Sequence, residues 1–206
     1  MLATPTTVNN FIYLASQSPR RRQLLQQLGV RHELLLPGDD EDSEGLEVAL
    51  KNEAPAAYVQ RVTGLKLDAA LARLKRRGLP PAPVLCSDTT VALGRVIYGK
   101  PADAPDARHM LSELASQTHR VLTAVAVGTA RKRVQALSVS RVTFAPMSKA
   151  QIHCYVASGE PMGKAGAYAV QGAAAAFTSH ISGSYSGIMG LPMFETAQLL
   201  RAFKAG

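Results

Sequence analysis

The chain has 206 residues, of which 47% are hydrophobic and 18% are charged, a balance typical of a folded protein with a full hydrophobic core. No apolar stretch is long enough to span a bilayer, and residues 1–10 lack the basic flank and apolar centre of a secretory signal. We therefore expect no membrane association, no export, and a single domain over residues 1–206 with residues 1–10 as a flexible N-terminal extension.

The formal net charge of +8 favours an anionic partner without identifying it. Nucleic acid is one candidate, but aromatic residues make up 5% of the chain and none alternate with basic residues in the way that single-strand binders require. The run Lys75–Arg77 suits a helix C-terminus before Gly78, and Arg131–Arg133 suits a hairpin tip. A small anionic ligand is therefore expected rather than nucleic acid.

Cysteine usage indicates a reducing compartment. Cys86 and Cys154 are far apart, with no paired spacing and no histidine at metal-ligand distance. Such cysteines are typical of buried, reduced thiols rather than of a disulfide or a zinc site. We therefore expect a cytoplasmic protein.

The first strand and helix of the chain carry an unusual charge pattern. The apolar run Phe11–Ala15 suits a buried strand, Ser18 suits a helix N-cap, and Pro19 suits the first helical position. The first turn then holds Arg20–Arg22, where acidic residues would normally oppose the helix dipole. A helix N-terminus with exposed amides and arginine forks is suited to bind phosphate. The alternative interpretation is a solvated basic turn.

Helix and strand signals alternate along the rest of the chain, without a clear linker, which favours an α/β fold with a mixed sheet. In the first half we predict a strand at His32–Leu36 and a helix from Pro55 to Arg77. The buried face of that helix is predicted to carry Val62, Leu65, Ala69 and Ala72. We then predict a strand at Val84–Cys86 that stops near Ser87–Thr89, and a short returning strand between Gly94 and Gly99. In the second half we predict a helix capped by Asp103 and ending at Leu114, followed by a hairpin of Val121–Gly128 and Val134–Phe144. A helix capped by Ser148 comes next. We predict mostly loops and short strand over Gly163–Gly190, and a last helix after Pro192.

Five further residues are candidates for chemistry. Asp88 follows a predicted buried strand, the usual place for a functional group in an α/β sheet, although a turn aspartate is the alternative. Glu41 lies in an acidic loop, where most carboxylates face water. Lys66 and Lys100 are surface lysines by default, but Lys100 lies between a glycine and a proline. Gln171 is the isolated polar side chain of a glycine-containing loop.

Together these residues suit a nucleoside triphosphate, which carries about four negative charges and is normally bound as a divalent-metal complex. Carboxylates, several cations and a helix N-terminus are what a displacement at phosphorus requires. The chain contains no Walker lysine motif, GxSxG elbow, HExxH motif or EF-hand loop. Kinases and hydrolases of those families are therefore not expected.

The segment Leu14–Arg21 (LASQSPRR) resembles the opening signature of the Maf family of nucleotide pyrophosphatases. The resemblance continues in family order through Ser87–Val91, Gly99–Pro101, Thr118–Thr123, Tyr155–Pro161, Lys164–Tyr168 and Gly190–Pro192. It implies an elongated α/β fold with two lobes around a cleft, similar to inosine triphosphate pyrophosphatases. It also implies hydrolysis of a nucleoside triphosphate to the monophosphate and pyrophosphate with Mg²⁺ or Mn²⁺, and it suggests a homodimer.

On the matching positions, the resemblance implies that Asp88 is the general base or a metal-linked carboxylate and that Glu41 is the second acidic group and metal ligand. Asp40 is the alternative to Glu41, because the acidic loop is crowded. The resemblance further implies a set of triphosphate-binding residues, which are Ser16, Arg20, Arg21, Lys66 and Lys100. It places Gln171 at the base.

Substrate choice follows from the same resemblance. One branch of the family prefers dTTP and UTP, and a sister branch that prefers 7-methyl-GTP has an aromatic residue after the signature proline. This chain has Arg20 there, and Thr89 and Gln171 also match the pyrimidine branch. An amide both donates and accepts, which suits the edge shared by uracil and thymine. The alternatives are the same chemistry on 7-methyl-GTP or a damaged nucleotide, or a non-catalytic division regulator or nucleic-acid binder.

Overall fold

The computed structural model describes residues 11–38, 41 and 45–203. Their strands are β1 (Ile12–Leu14), β2 (His32–Leu34), β3 (Val84–Leu93), β4 (Val96–Tyr98), β5 (Thr118–Gly128), β6 (Arg133–Phe144) and β7 (Thr178–Ser182). Their α-helices are α1 (Pro19–Gln27), α2 (Pro55–Arg76), α3 (Ala104–Leu114), α4 (Lys149–Ala157), α5 (Tyr185–Ile188) and α6 (Met193–Arg201). Short 3₁₀ turns lie at Gly45–Glu47, Ala165–Ala167 and Ala173–Phe177.

Within the described residues, seven strands form one mixed sheet in the order β2-β1-β3-β5-β6-β7, with β4 also paired to β3. Strand β1 runs parallel to β2 and β3, whereas the β3, β5, β6 and β7 ladders are antiparallel. The predicted mixed α/β fold with flanking helices is confirmed. The predicted hairpin is also confirmed, because β5 and β6 pair along their length around a turn closed by Thr129 and Lys132.

One edge of β3 has a gap that creates space for a site. Strand β1 pairs with β3 only at Val84 and Leu85, and β4 pairs with it from Val91 onward. On the opposite edge, β5 pairs with β3 continuously from Val84 to Ala92. The segment between the two short partners, residues 86–90, therefore has none of the described strands beside it on that edge. The loops that leave β1 and β4 both contribute residues to the wall of one cavity.

The helices cover both faces of the sheet with apolar side chains. Helix α2 packs Leu67, Ala70 and Leu74 against the face that carries Val84 and Cys86. On the other side, α1 and α6 join another cluster, which includes Leu25, Leu85, Val125, Leu191 and Leu200. A larger cluster joins α3 and α4 to the far end of the sheet.

The predicted buried face of α2 is wrong in part. Val62 is buried, but Leu65 is 39% exposed, Ala69 is half-buried and Ala72 is exposed. The buried stripe instead follows steps of three and four residues through Val59, Thr63, Leu67, Ala70 and Leu74. The helix has small or aliphatic residues on several faces, so periodicity alone did not identify the side that meets the sheet.

Strand β3 also corrects a predicted boundary. It does not stop near Asp88 but continues to Leu93, so Asp88 lies within the strand opposite Ala124. Threonine and valine at positions 89–91 favour extended backbone and maintain the pairing with β5. Strand β2 ends at Leu34, two residues earlier than predicted. The other predicted helices and strands are present with similar bounds.

The cysteine expectation is confirmed for one residue only. Cys86 is buried in β3 and free, whereas Cys154 is free but exposed on α4. None of the described helices combines the length and apolar character needed to cross a membrane. The expected extension at residues 1–10 lies outside the described residues, as does Asp40. The single-domain boundary of residues 1–206 remains a prediction.

Candidate active site

A cleft of about 860 Å³ opens at the gap on the β3 edge. Its wall includes the β1–α1 loop, the start of α1, the middle of β3, part of α2, the loop after β4, and residues 162–165, 168–171 and 188–190. All nine residues assigned from the sequence line it: Ser16, Arg20, Arg21, Glu41, Lys66, Asp88, Thr89, Lys100 and Gln171. The tertiary structure thus brings the predicted set into one cavity.

The N-terminus of α1 forms one side of the cleft and matches the sequence prediction. Pro19 is the first helical residue, and the Ser18 hydroxyl accepts a hydrogen bond from the Arg21 amide at 3.5 Å. No acidic residue lies in the first turn. Arg20 and Arg21 line the cleft, whereas Arg22 is exposed outside it. Two of the three arginines therefore add positive charge to the helix end that faces the cavity.

Arg21 is held in place by neutral acceptors. Its Nε donates to the Gly190 carbonyl at 2.8 Å, and its Nη1 donates to Ser16 Oγ at 3.1 Å. Its Nη2 lies 3.5 Å from Thr89 Oγ1, which is itself 3.0 Å from Thr123 Oγ1. Burial lowers the pKa of the Arg21 guanidinium, and the nearby Asp88 carboxylate opposes that shift. The guanidinium is therefore oriented, and among the described residues it has no direct ion pair.

Asp88 faces α2 from the stretch of β3 that pairs with β5 on one edge and borders the gap on the other. Asp88 is 7% exposed, and its Oδ1 forms an ion pair with the Lys66 ammonium group. Neighbouring side chains alternate across the strand, so that Ser87 and Thr89 instead contact the Gly190 carbonyl and Arg21. The single strand β3 thus presents a carboxylate and a set of hydroxyl groups to different parts of one cleft.

Glu47 is a site residue that the sequence interpretation missed. Its Oε1 lies 2.7 Å from Lys66 Nζ, and its Oε2 lies 3.1 Å from Lys100 Nζ. Burial acts to raise the pKa of Glu47, but the charges and hydrogen bonds of the two lysines outweigh it and lower the pKa. The residue lies at the end of an acidic stretch, and no local signal separates it from its acidic neighbours. Lys66 therefore joins two carboxylates, those of Asp88 and Glu47.

Glu41 lines the cleft but binds arginines of α2. Its carboxylate accepts from Arg73 Nη2 at 2.6 Å and from Arg76 Nη2 at 2.7 Å. These contacts, the hydrogen bonds from Arg73 above all, lower the pKa of Glu41 to about 2. Buried Arg73 also donates to the Leu35 carbonyl at 2.8 Å. The Glu41–Arg73 pair therefore joins the segment that follows β2 to α2. The role of Glu41 as the second acidic group remains a prediction.

Arg20 and Lys164 form a second cationic region of the cleft. Arg20 Nε is buried and has no hydrogen-bond partner among the described residues. Lys164 lines the same cavity and donates to the carbonyls of Glu160 and Met162. Burial and the positive charge of Arg20 lower the pKa of Lys164. Within the described chain neither cation has an ion pair. Lys164 belongs to a segment that resembles the family, but the sequence predicted no role for it.

Gln171 lies on a loop that is anchored by hydrogen bonds to buried aromatic side chains. Tyr168 in that loop is buried, and its hydroxyl is 2.8 Å from Nε2 of buried His119. The backbone amide of Ala169 donates to the Tyr155 hydroxyl at 3.3 Å. Gln171 itself is exposed and lines the cleft. The loop is thus fixed by buried aromatic residues while its amide side chain is available to a ligand.

The described residues contain no group of three or more histidine, cysteine, aspartate or glutamate side chains arranged to hold a metal. The cleft nevertheless contains the carboxylates of Glu41, Glu47 and Asp88. Mg²⁺ commonly binds through one or two carboxylates, with waters and substrate phosphates as the other ligands. The residues present therefore fit a divalent ion that arrives with a phosphorylated substrate rather than a metal held by protein ligands alone.

Comparison with known proteins supports a specific family. The family model described as "Maf-like protein" matches residues 11–203. A dTTP/UTP pyrophosphatase of Albidiferax ferrireducens is 77% identical over 95% of this chain and 98% of its own length. Those of Polaromonas sp. and Cupriavidus pinatubonensis are 70% and 62% identical, each over 94% of this chain and over 96% and 97% of their own lengths.

A solved structure of a nucleoside-triphosphatase, or dITP/XTP pyrophosphatase, from Mycobacterium abscessus has 16% sequence identity and a TM-score of 0.42. The match covers 66% of this chain and 75% of that one, and it is too distant to carry functional weight. The family match and the high-identity relatives extend over nearly the whole chain. The chain belongs to the Maf-like protein family.

Proposed function

We propose that this protein hydrolyses dTTP and UTP to the nucleoside monophosphate and pyrophosphate. Its high-identity relatives are named dTTP/UTP pyrophosphatase, which supports the substrate class. The observation that carries the proposal is the position of Asp88 within the same cleft as the cationic N-terminus of α1. That arrangement places a carboxylate and an anion-binding helix end around one cavity.

In this proposal, Asp88 accepts a proton from the water that attacks the α-phosphorus. The attack breaks the bond between the α-phosphorus and its bridging oxygen, and pyrophosphate leaves. Ser16, Arg20, Arg21, Lys66 and Lys100 hold the phosphates and stabilise their charge. Lys66 also forms an ion pair with Asp88, which orients that carboxylate in the cleft.

A divalent ion, Mg²⁺ or Mn²⁺, would be held by Asp88 together with substrate phosphates. Bound there, it would neutralise phosphate charge and polarise the reacting phosphoryl group. Glu41 is the second metal ligand assigned from the sequence, and it would have to leave Arg73 and Arg76 to reach the ion. No other residue of the chain is assigned to the metal in this proposal.

Gln171 is proposed to recognise the pyrimidine, because its amide can donate to one edge atom of uracil or thymine and accept from the next. Thr89 is proposed as a binding residue that acts beside Arg21, since its hydroxyl already contacts that guanidinium. We further propose that the enzyme acts in the cytoplasm as a homodimer, without nucleic acid as a partner. The free state of both cysteines supports the cytoplasmic assignment.

A substrate panel tests the function. Purified protein with Mg²⁺ is given dTTP, UTP, dCTP and 7-methyl-GTP, and pyrophosphate and orthophosphate are measured separately. We expect pyrophosphate release from dTTP and UTP well above that from the other two. In ¹⁸O-labelled water, the label is expected in the monophosphate, which identifies attack at the α-phosphorus. Release of orthophosphate, or inactivity on all four substrates, contradicts the proposal.

A further inference from the structure

The Glu47 carboxylate forms ion pairs with Lys66 and Lys100, the two lysines that are proposed to bind the triphosphate. One carboxylate oxygen lies 2.7 Å from Lys66 Nζ and the other lies 3.1 Å from Lys100 Nζ. The lysines come from different parts of the fold, since Lys66 lies on α2 and Lys100 follows β4. A carboxylate that bridges two cations with two oxygens makes the same contacts that a phosphate group would make there.

The position of Glu47 is maintained by its backbone as well as by its charge. It ends the 3₁₀ turn Gly45–Glu47, and its carbonyl accepts a hydrogen bond from the Tyr58 hydroxyl at 2.8 Å. Tyr58 is 7% exposed on α2, the helix that also carries Lys66. The backbone of Glu47 is therefore held near the two lysines by a contact that does not depend on them.

A phosphate that binds Lys66 and Lys100 must take their hydrogen bonds from Glu47. The measured affinity for any such phosphate is therefore lower than it would be without Glu47, because the ion pairs between Glu47 and the two lysines are lost on binding. Ion pairs of partly exposed side chains are weak, so the reduction is expected to be about fivefold. The effect applies to the substrate and equally to the pyrophosphate that remains after hydrolysis.

We propose that Glu47 is a built-in competitor for phosphate at Lys66 and Lys100, and that it promotes release of the product pyrophosphate. This inference rests on the proposed function, because it takes the two lysines to be phosphate ligands. The loss is the same for both ligands, but the substrate keeps its nucleoside contacts, whereas pyrophosphate has none and is therefore the ligand that dissociates more readily. Glu47 is thus a positioning residue that sets how long the product stays bound.

The test is a titration of sodium pyrophosphate into metal-free protein by calorimetry, with wild type, Glu47→Gln and Lys100→Met as well as the double variant. We expect Glu47→Gln to bind pyrophosphate about fivefold more tightly than wild type. We expect Lys100→Met to bind it more weakly, and the gain from Glu47→Gln to shrink in that background. A general effect of removing one negative charge would be equal in both backgrounds.

Glu53→Gln is the matched control, because Glu53 lies close by in sequence but pairs with Arg61 at 2.7 Å outside the cleft. It should leave pyrophosphate affinity unchanged. Glu47→Asp keeps the charge but is one methylene shorter, so it should no longer bridge both lysines and should also bind more tightly. Thermal unfolding of each variant verifies that it is folded.

Pyrophosphate affinity that is unchanged or weaker in Glu47→Gln overturns the inference, as does an equal gain in both backgrounds. If wild type releases pyrophosphate from dTTP while Glu47→Gln binds that product no better, the competition alone is wrong. If wild type hydrolyses no triphosphate, the proposed function is wrong whatever the titration shows.

Discussion

Arg21 donates through Nε to the carbonyl of Gly190 at 2.8 Å, a contact between residues 169 positions apart in the chain. The glycine has φ +112°, and an added Cβ would lie 3.4 Å from Arg21 Nε. The contact fixes the guanidinium against the loop after α5, while its other nitrogens reach Ser16 and Thr89. The cationic end of α1 is therefore held in position by contacts within the protein.

Replacing Arg21 with lysine should remove this preorganisation while it keeps the charge. Lysine has no planar fork, so it cannot serve Gly190, Ser16 and Thr89 together. We expect Arg21→Lys to lower kcat/KM for dTTP by about 10- to 100-fold, a loss of about 1.4–2.7 kcal/mol in transition-state stabilisation. Arg22→Lys is the control, because Arg22 is exposed outside the cleft. Equal kinetics for the two variants would contradict the assigned role of Arg21.

Asp88→Asn tests the proposed general base. The substitution removes the proton acceptor but preserves shape, and loss of one acid–base group lowers kcat by about 10²–10⁴-fold. Steady-state kinetics with dTTP measures the loss, and thermal unfolding verifies that the variant is folded. Asp68→Asn is a suitable control, since Asp68 lies exposed on α2 and pairs with Arg133. Turnover near wild type would remove Asp88 from the mechanism.

Glu41→Gln should destabilise the fold, because it breaks the ion pair with buried Arg73. We expect the free energy of unfolding to fall by about 2–3 kcal/mol at pH 7, measured by urea denaturation. The folded-state pKa of about 2 lies below the ordinary 4.5. The stabilisation is therefore complete above about pH 4.5 and is lost as the pH falls toward 2.

The same variant tests the metal role of Glu41. If Glu41 ligates the ion, the Mg²⁺ concentration for half-maximal activity should rise about tenfold or more. An unchanged Mg²⁺ requirement would limit Glu41 to its structural contact with α2. Unchanged stability would instead show that the pair with Arg73 contributes nothing to the fold.

His119 should make stability depend on pH in the acid range. Burial lowers its pKa in the folded protein to about 4 from an ordinary 6.5. The unfolded chain therefore binds a proton more readily than the folded chain between these values. Its contribution is complete above pH 6.5 and falls by about 3 kcal/mol as the pH approaches 4.

Urea denaturation across this range checks the prediction, with His119→Gln expected to flatten the pH dependence between pH 6.5 and 4. His109→Gln serves as the comparison, because His109 is largely exposed and lies 3.5 Å from Glu113. A pH dependence that is identical in wild type and His119→Gln would show that another group is responsible.

Lys164→Met should weaken substrate binding. Lys164 and Arg20 are cations that line the cleft without an ion-pair partner in the described chain, and an incoming phosphate would satisfy both. We expect KM for dTTP to rise about 3- to 10-fold with a smaller change in kcat. Lys149→Met, at the exposed start of α4, should have no effect. An unchanged KM for Lys164→Met would exclude a direct contact with the substrate.

The sequence alone determined most of the local structure and the members of the candidate site. Caps and turn residues are short-range signals, so Ser18 with Pro19, Asp103 and Ser148 predicted helix starts that the structure confirms. The family resemblance identified nine residues that line the cleft, and the mismatch of Arg20 and Arg21 with the helix dipole indicated an anion site.

Tertiary structure alone decided what those residues contact. The gap between β1 and β4 on one edge of β3 depends on pairings between distant segments, and the cleft at this gap is lined by both Asp88 and the start of α1. The pairing of Glu41 with Arg73, and of Glu47 with Lys66 and Lys100, was equally beyond the local pattern. An acidic loop offers several equivalent carboxylates, and only the folded backbone determines which of them reaches a cation.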